Sequence, residues 1–474
     1  MLLSELSDGA PPVEVAALAY DSRNVSAATL FFCVSGGHAD GHDHAPEAVA
    51  RGAAALVVER PLGLGVPEVV VPSVRVAMAA LAARFNGDPS AGLRVIGVTG
   101  TNGKTTTTFL VRQLLEAGGE QTALLGTVKS VIGGVDGAVI HTTPEAIDLQ
   151  ASFARMLEAG DRACAIEVSS HALALHRADA IHFAAAVFTN LTQDHLDFHP
   201  TMEDYFAAKR RLFEAGPKVA IVNVDDPYGR RLAAEFPNAV TFALHSDADY
   251  RAADLRSGIA DASFIAQTPD GEIALTTQLP GDFNAANALG ALAVAHQLGV
   301  PLDTIAGALA AATPAPGRFQ ALDEGQPFGV LVDYAHTPDS LENVLDAARS
   351  LATGRVICVF GCGGDRDRGK RPQMGAIASR LAEVTIVTSD NPRSEVPEAI
   401  VSEILAGAHA DSEHAVEPIV ERRAAIARAI ELAAPGDVVV IAGKGHEQGQ
   451  EFAGGRKIPF DDVAIARELL PAGL

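Results

Sequence analysis

Val95-Ile96-Gly97-Val98-Thr99-Gly100-Thr101-Asn102-Gly103-Lys104-Thr105-Thr106 is the stretch on which the reading of this chain turns. An apolar run leads into a glycine-bearing loop, and Lys104-Thr105-Thr106 opens a helix. In such a loop backbone N–H groups approach a polyphosphate without an intervening Cβ, and the helix N-terminus adds positive dipole. Lys104 would bring a point charge to the β- and γ-phosphates of a nucleoside triphosphate, and Thr105 a hydroxyl to Mg²⁺. Val98 stands where the common G-x-x-x-x-G-K-[ST] form has its first glycine, so the loop is a variant of that pattern. Nucleotide binding on a parallel α/β sheet is the expectation.

Working outward, apolar strands alternate with helical segments from about 91 to 314, with strands expected at Arg94–Val98, Ala163–Val168, Ala184–Thr189 and Lys218–Val222. Asn86-Gly87-Asp88-Pro89-Ser90 and Thr313-Pro314-Ala315-Pro316-Gly317 are turn-rich and divide the chain into expected domains 1–90, 91–314 and 315–474. The last of these alternates again, with strands at Gly329–Val332, Arg355–Phe360, Glu383–Thr388 and Asp437–Ala442. Each strand is followed by a polar loop: Asp333-Tyr334-Ala335-His336, Gly361-Cys362-Gly363-Gly364-Asp365-Arg366, Ser389-Asp390-Asn391-Pro392-Arg393 and Gly443-Lys444-Gly445-His446-Glu447. Ligands of open α/β sheets bind at the carboxyl ends of strands, so four such loops on one edge suggest a second site.

Composition excludes several classes. A chain of 474 residues exceeds one ordinary core. A net charge of −23 argues against nucleic acid and against docking on an anionic membrane. No apolar stretch approaches a membrane span, the N-terminus lacks a basic, apolar leader, and Cys33, Cys164, Cys358 and Cys362 lack zinc spacing. A cytoplasmic, soluble protein with reduced thiols is expected.

Individual residues leave alternatives open. Glu167 ends a strand near the phosphate loop, and it could converge with Thr105 and His195 on magnesium, which prefers oxygen ligands. Imidazole is less usual there, so capping or hydrogen bonding by His195 stands beside ligation. Lys209, within Tyr205-Phe206-Ala207-Ala208-Lys209-Arg210-Arg211-Leu212-Phe213, reads as a snorkelling surface lysine. Arg318 could reach phosphates across an interface, and Asn287 is either a nucleotide contact or a helix-surface asparagine.

Taken together, Gly100-Thr101-Asn102-Gly103-Lys104-Thr105-Thr106, Glu167-Val168-Ser169-Ser170-His171, Asp194-His195-Leu196-Asp197, Asn284-Ala285-Ala286-Asn287, Gly317-Arg318 and Asp333-Tyr334-Ala335-His336 resemble the motifs of the Mur ligases of peptidoglycan synthesis. Asp390-Asn391-Pro392-Arg393 resembles the motif of members that add meso-diaminopimelate rather than lysine. The resemblance implies three α/β domains: an N-terminal one for the UDP end of UDP-N-acetylmuramoyl-L-alanyl-D-glutamate, a central P-loop ATPase-like parallel sheet for ATP, and a C-terminal Rossmann-like one for the amino acid. It implies an ATP- and Mg²⁺-dependent amide ligase acting through an acyl phosphate; a monomer is expected. ATP contacts would come from residues 100–106, Asn287, Arg318 and Asp333, and catalysis from Lys104, Glu167, His195, Lys209 and Arg318. Metal would meet Thr105, Glu167, His195 and Lys209, the last as N6-carboxylysine, which replaces a cation with an anion. Ser22, Thr142, Thr143, Ser169 and Arg177 match contacts to the UDP-linked dipeptide, whereas His141 and Leu175 stand where some members have Asn and Gln. Arg366, Asp390, Asn391, Pro392, Arg393, Gly443 and Glu447 match the diaminopimelate site, with Arg393 on the distal carboxylate and Glu447 on the ammonium of the same carbon. Lysine would leave Arg393 unpaired, a loss of roughly 3–5 kcal/mol if burial is deep, and discrimination on the order of a hundredfold or more. Lysine-adding ligases, other Mur enzymes and folylpolyglutamate synthetases share the ATP pattern and remain alternatives, as does a non-catalytic nucleotide switch.

Overall fold

Three sheets, each rich in parallel strands, organise the chain in sequence order, and a small ribbon completes it. The computed structural model describes residues 1–37, 39–139, 141–408 and 414–470. The first sheet is all parallel and sequential: Ala17–Ala19, Thr29–Phe32, Ala53–Val58 and Glu68–Val70. Its core of Leu30, Phe32, Val57 and Met78 is closed by the helix Val74–Phe85.

In the central sheet the phosphate-loop strand Arg94–Thr99 lies between Phe183–Phe188 and Ala163–Glu167, parallel to both. Ile96 and Val98 pack into one core with Leu110, Leu114, Leu289 and Leu292 of the helices Lys104–Ala117 and Asp282–Gln297. Val95 faces the other core, with Phe153, Tyr205 and Leu212. This two-sided burial is why the strand reads as a continuous apolar run rather than an alternating one. The parallel expectation holds for Thr122–Leu125, Ala163–Glu167, Arg94–Thr99, Phe183–Phe188, Val219–Asn223 and Val240–Ala243. Both edges depart from it. Tyr250–Ser257, Ala262–Thr268 and Gly271–Thr277 form an antiparallel extension, and Ser130–Ile132 with Val135–Gly137 forms a hairpin turned by Gly133 and Gly134, both at positive φ.

The C-terminal sheet runs Gln320–Ala321, Gly329–Asp333, Val438–Ala442, Val356–Phe360, Val384–Val387, Ala415–Pro418, parallel except for the first pair. Parallel pairing puts Asp333, Gly361, Thr388 and Gly443 on one edge, so the four polar loops share it. The ribbon Gly449–Phe452 and Arg456–Pro459 lies beside them, bridged from Phe452 to Arg393. All four cysteines are buried and unlinked. Among the described residues no helix is long and apolar enough to cross a membrane.

A buried ion pair anchors this edge. Arg422 and Asp462 are both fully buried; Arg422 Nε donates to Asp462 Oδ1 at 2.8 Å and Nη2 to Oδ2 at 2.7 Å. Nη2 also donates to Ala442 O at 2.9 Å, the strand end that leads into Gly443. Asp462→Ala strands the guanidinium and should cost about 3–5 kcal/mol. The check is a lower urea midpoint for the C-terminal part, with Arg422→Met in the same chain recovering part of the loss.

Candidate functional site

The loop Gly100–Gly103 turns at two positive-φ glycines, and the contacts explain why. A Cβ on Gly100 would run into the Thr189 hydroxyl, and one on Gly103 into the side-chain oxygen of Asn287. Asn287 is therefore buried against the loop rather than on the helix surface, and its Oδ1 accepts from Thr107 Oγ1 at 3.3 Å. Lys104 folds back so that its Nζ donates to Gly100 O and Thr101 O, each at 2.9 Å. Burial lowers its ammonium, against the pull of Glu167 and Asp194. Thr105 and Thr106 are buried in the first helical turn, Thr101 Oγ1 lies 3.2 Å from Tyr205 Oη, and Asn102 N–H donates to Asn190 Oδ1 at 2.9 Å.

Lys209 corrects the surface reading. Its side chain is 1% exposed; Nζ donates to Gly100 O at 2.7 Å and sits 4.5 Å from the centre of the Tyr205 ring. The helix Met202–Glu214 buries Tyr205, Leu212 and Phe213, and Lys209 shares their face. Burial first, and repulsion from Lys104 second, hold its ammonium well below the ordinary lysine value. Two lysines thus converge on one carbonyl oxygen, an arrangement that favours an uncharged or anionic Lys209.

Glu167 is 1% exposed at its strand end. It accepts from Thr127 N–H at 2.8 Å, and Thr127 Oγ1 lies 3.0 Å from both Glu167 Oε2 and Thr142 Oγ1. His195 adopts φ 55° and stands edge-on to His171, with ring centres 4.8 Å apart. Burial brings its imidazole down to about 4, so it is neutral near pH 7 and has a lone pair to offer. It does not cap the following helix, whose cap is Thr201. Among the described residues no three His, Cys, Asp or Glu groups converge on a metal point. The candidate set contains only two such groups, Glu167 and His195, beside the Thr105 hydroxyl and Lys209. These donors fit a magnesium ion whose remaining places are filled by phosphate oxygens and water.

The candidate dipeptide residues connect to the same strand end. Thr143 Oγ1 donates to Glu167 O at 2.8 Å and accepts from Ser169 N–H at 3.1 Å. Arg177 Nη1 donates to Thr143 O at 3.2 Å, and Nη2 pairs with Glu145 at 2.9 Å. A cavity of about 480 Å³ opens beside them, lined by Tyr20, Gly126, His141, Pro144, Asp148 and Arg155 among others. Ser22 lies in the N-terminal sheet region, where its hydroxyl donates to Glu47 Oε2 at 2.8 Å. The larger groove, about 880 Å³ and lined by His182, His199, Arg210 and Arg211 among others, carries none of the expected site residues.

Arg318, just before the C-terminal sheet, lies near enough to Lys104 to repel its ammonium, and Asp333 lies beside Arg318. The Arg318 guanidinium carbon stacks 4.7 Å from the Tyr334 ring centre, and its buried Nε has no hydrogen-bond partner. Asp333 accepts from Phe319 N–H at 2.6 Å and Ala335 N–H at 2.7 Å, and burial raises its carboxyl. A residue that the sequence reading missed makes the bridge. Asp339 Oδ2 accepts from Thr192 Oγ1 at 2.8 Å and Asn102 Nδ2 at 3.3 Å, tying the helix Pro338–Leu351 to the nucleotide loop.

The remaining candidates form a cluster on the C-terminal edge. Asn391 Nδ2 donates to Glu447 Oε2 at 2.7 Å, and fully buried Lys444 donates to Asn391 Oδ1 at 3.1 Å and Glu447 Oε2 at 2.9 Å. Burial alone would raise the Glu447 carboxyl, but Lys444 and Asn391 hold it below the usual carboxylate range. Asp390 and Pro392 are buried: a Cβ on Gly443 would meet Asp390 Oδ2, and one on Gly364 the Pro392 carbonyl. Arg366 is exposed at the mouth, its Cγ near Gly363. Arg393, at φ 50°, donates from Nη1 to Gly364 O at 2.7 Å and from Nε to Glu451 Oε2 at 3.3 Å. The expectation of an arginine left unpaired by lysine is thereby revised: Arg393 already has a carboxylate neighbour and is 23% exposed.

Comparison with known proteins agrees with this layout. The Mur ligase family catalytic domain matches residues 14–86, the Mur ligase middle domain 98–295, and the Mur ligase glutamate ligase domain 317–445. A UDP-N-acetylmuramoyl-L-alanyl-D-glutamate--2,6-diaminopimelate ligase of Syntrophomonas wolfei is 46% identical, covering 99% of this chain and 97% of the relative. Its namesake in Geobacillus kaustophilus is 49% identical over 96% of this chain and 94% of the relative. A solved structure of a UDP-N-acetylmuramoyl-L-alanyl-D-glutamate--2,6-diaminopimelate ligase superposes with a TM-score of 0.73 at 36% identity, covering 99% of this chain and 98% of that one. MurF from Acinetobacter baumannii, at 21% identity and a TM-score of 0.63, shares the fold. Full-length identity at this level, joined to a lysine-bearing phosphate loop and a facing C-terminal edge, makes this chain a member of the Mur ligase family of ATP-dependent amide-bond-forming ligases.

Proposed function

We propose that this chain joins meso-diaminopimelate to UDP-N-acetylmuramoyl-L-alanyl-D-glutamate with ATP, as a cytoplasmic monomer making a peptidoglycan precursor. The observation that carries the reading is the Asp339 bridge, which ties the helix Pro338–Leu351, next to the C-terminal edge that carries Arg393 and Glu447, to Asn102 of the phosphate loop. Relatives named for this reaction support it over the lysine-adding alternative.

Lys104 and Arg318 neutralise the transferring phosphoryl group, and Asn287 and Asp333 hold the nucleotide. Thr142, Thr143, Ser169 and Arg177 fix the dipeptide so that its D-glutamate γ-carboxylate oxygen attacks the γ-phosphorus. The β–γ bridge bond breaks, leaving ADP and an acyl phosphate. The amine of diaminopimelate, oriented by Arg393, Glu447 and Asn391, adds to the acyl carbon, loses a proton and expels phosphate. Positioning accounts for most of the acceleration, because the protein forms no bond to either substrate. Thr105, Glu167, His195 and a carboxylated Lys209 would hold Mg²⁺, which when bound supplies charge neutralisation to the phosphates. Residues 1–90 would hold the UDP end, 91–314 the ATP and 315–474 the amino acid.

The test is phosphate release from ATP and UDP-N-acetylmuramoyl-L-alanyl-D-glutamate, with meso-diaminopimelate or L-lysine as the amine. Release with tripeptide product is expected for diaminopimelate. Release with lysine in preference would overturn the amino-acid assignment, and silence with both would overturn the substrate assignment.

A further inference from the structure

Glu451 is the carboxylate that faces Arg393. It begins the second half of the ribbon strand Gly449–Phe452, and three contacts fix it against the Asp390–Arg393 loop. Its N–H donates to Asn391 Oδ1 at 3.0 Å, its carbonyl accepts from Arg393 N–H at 3.0 Å, and its Oε2 accepts from Arg393 Nε at 3.3 Å. The backbone of Glu451 therefore shapes the loop, while its side chain sets the charge the loop presents. Asn391, Lys444 and Glu447 are already joined to one another, so Arg393 is the cation of this cluster that faces Glu451. Strand register places Lys457 opposite Glu451 on the partner strand, a second cation to which its carboxylate can turn.

We propose that Glu451 is a specificity-setting residue, a resident carboxylate that occupies Arg393 when no amino acid is bound and competes with the distal carboxylate of the incoming one. The proposal rests on Arg393 being the receptor for that carboxylate. Two consequences follow from like charges sharing one guanidinium. A dicarboxylate amino acid must displace or tolerate Glu451, which weakens its binding. An amino acid lacking the second carboxylate leaves the Arg393–Glu451 pair intact, so it escapes the full penalty of an unpaired arginine. Glu451 thus narrows the gap between diaminopimelate and lysine from both sides.

Glu451→Gln keeps the shape and an acceptor oxygen while removing the charge. With the full-length enzyme, its KM for meso-diaminopimelate should fall on the order of three- to tenfold with kcat unchanged, and the preference over L-lysine should widen at least as much. Glu451→Asp, which keeps the charge on a shorter arm, should fall between the two. A KM that stays the same or rises in Glu451→Gln overturns the proposal, since it would make Glu451 a mere brace for Arg393. Arg393→Ala separates the two readings. If that variant keeps the parent KM, the receptor assignment itself fails; if its KM rises while Glu451→Gln has no effect, only the role of Glu451 fails.

Discussion

Arg393→Ala should raise the KM for meso-diaminopimelate roughly 30-fold to a few thousand-fold while ATP and the UDP-linked dipeptide bind as before. The range comes from removing one partner of a desolvated, charge-assisted pair, about 2–5 kcal/mol, at 1.4 kcal/mol per tenfold. Arg393 is 23% exposed, so water recovers part of the loss and the middle of the range is the better expectation. The effect should be confined to the amino acid because Arg393 donates to Gly364 O and Glu451, both on the C-terminal edge. Steady-state kinetics varying each substrate in turn, with nucleotide affinity by titration calorimetry, is the measurement. A variant whose diaminopimelate KM matches the parent would remove Arg393 from the site. Equal weakening toward ATP would instead mean that the loop edge had collapsed, and a thermal melt distinguishes that case.

The same contacts temper how far the enzyme can reject lysine. An arginine buried and unpaired would impose its full desolvation penalty on a ligand that lacks the second carboxylate. Here Glu451 stands in for the missing partner, so the discrimination should fall short of that full penalty.

Much of this arrangement was legible in the chain. Strands buried on both faces, such as Arg94–Thr99 and Val438–Ala442, are runs of apolar residues closed by polar loops, and the loops carry the candidate residues. The antiparallel flank Tyr250–Thr277 was not read, because only one face is buried and the alternation is diluted by exposed polar residues. A signal was present in Thr268-Pro269-Asp270-Gly271, a turn between two strand-like runs. Lys209 was misread for the opposite reason. Tyr205, Leu212 and Phe213 lie four before, three after and four after it, which puts the lysine on the buried stripe. Hydropathy alone sent it to the surface. Asp339 had no comparable signal, since its role arises from a contact across 237 residues, from Asn102 to Asp339.

Lys209→Met should lower kcat on the order of 10²- to 10³-fold, the loss typical when one preorganised electrostatic group is removed from the reacting phosphates. The parent should also lose activity in CO₂-depleted buffer and regain it on adding bicarbonate. The argument starts from the two lysines that share Gly100 O, Lys104 at 2.9 Å and Lys209 at 2.7 Å. With both protonated, a buried cation faces another cation, and burial with this repulsion drives Lys209 toward the free amine. A free amine attacks CO₂: the N–C bond forms, one N–H proton leaves to solvent, and the product carbamate is an anion. The step turns repulsion with Lys104 into attraction and gives the phosphate site an oxygen ligand, which neither an ammonium nor an amine provides to Mg²⁺. The sign of the pH response follows. Folding depresses the Lys209 pKa, so acidification protonates the amine and withdraws the species that reacts, and bicarbonate dependence should steepen as pH falls. Labelled bicarbonate read by NMR would reveal the carbamate directly. Lys209→Met retaining parent activity, or a parent enzyme indifferent to CO₂ removal with no carbamate signal, would leave Lys209 as a cation that pins the loop through Gly100 O.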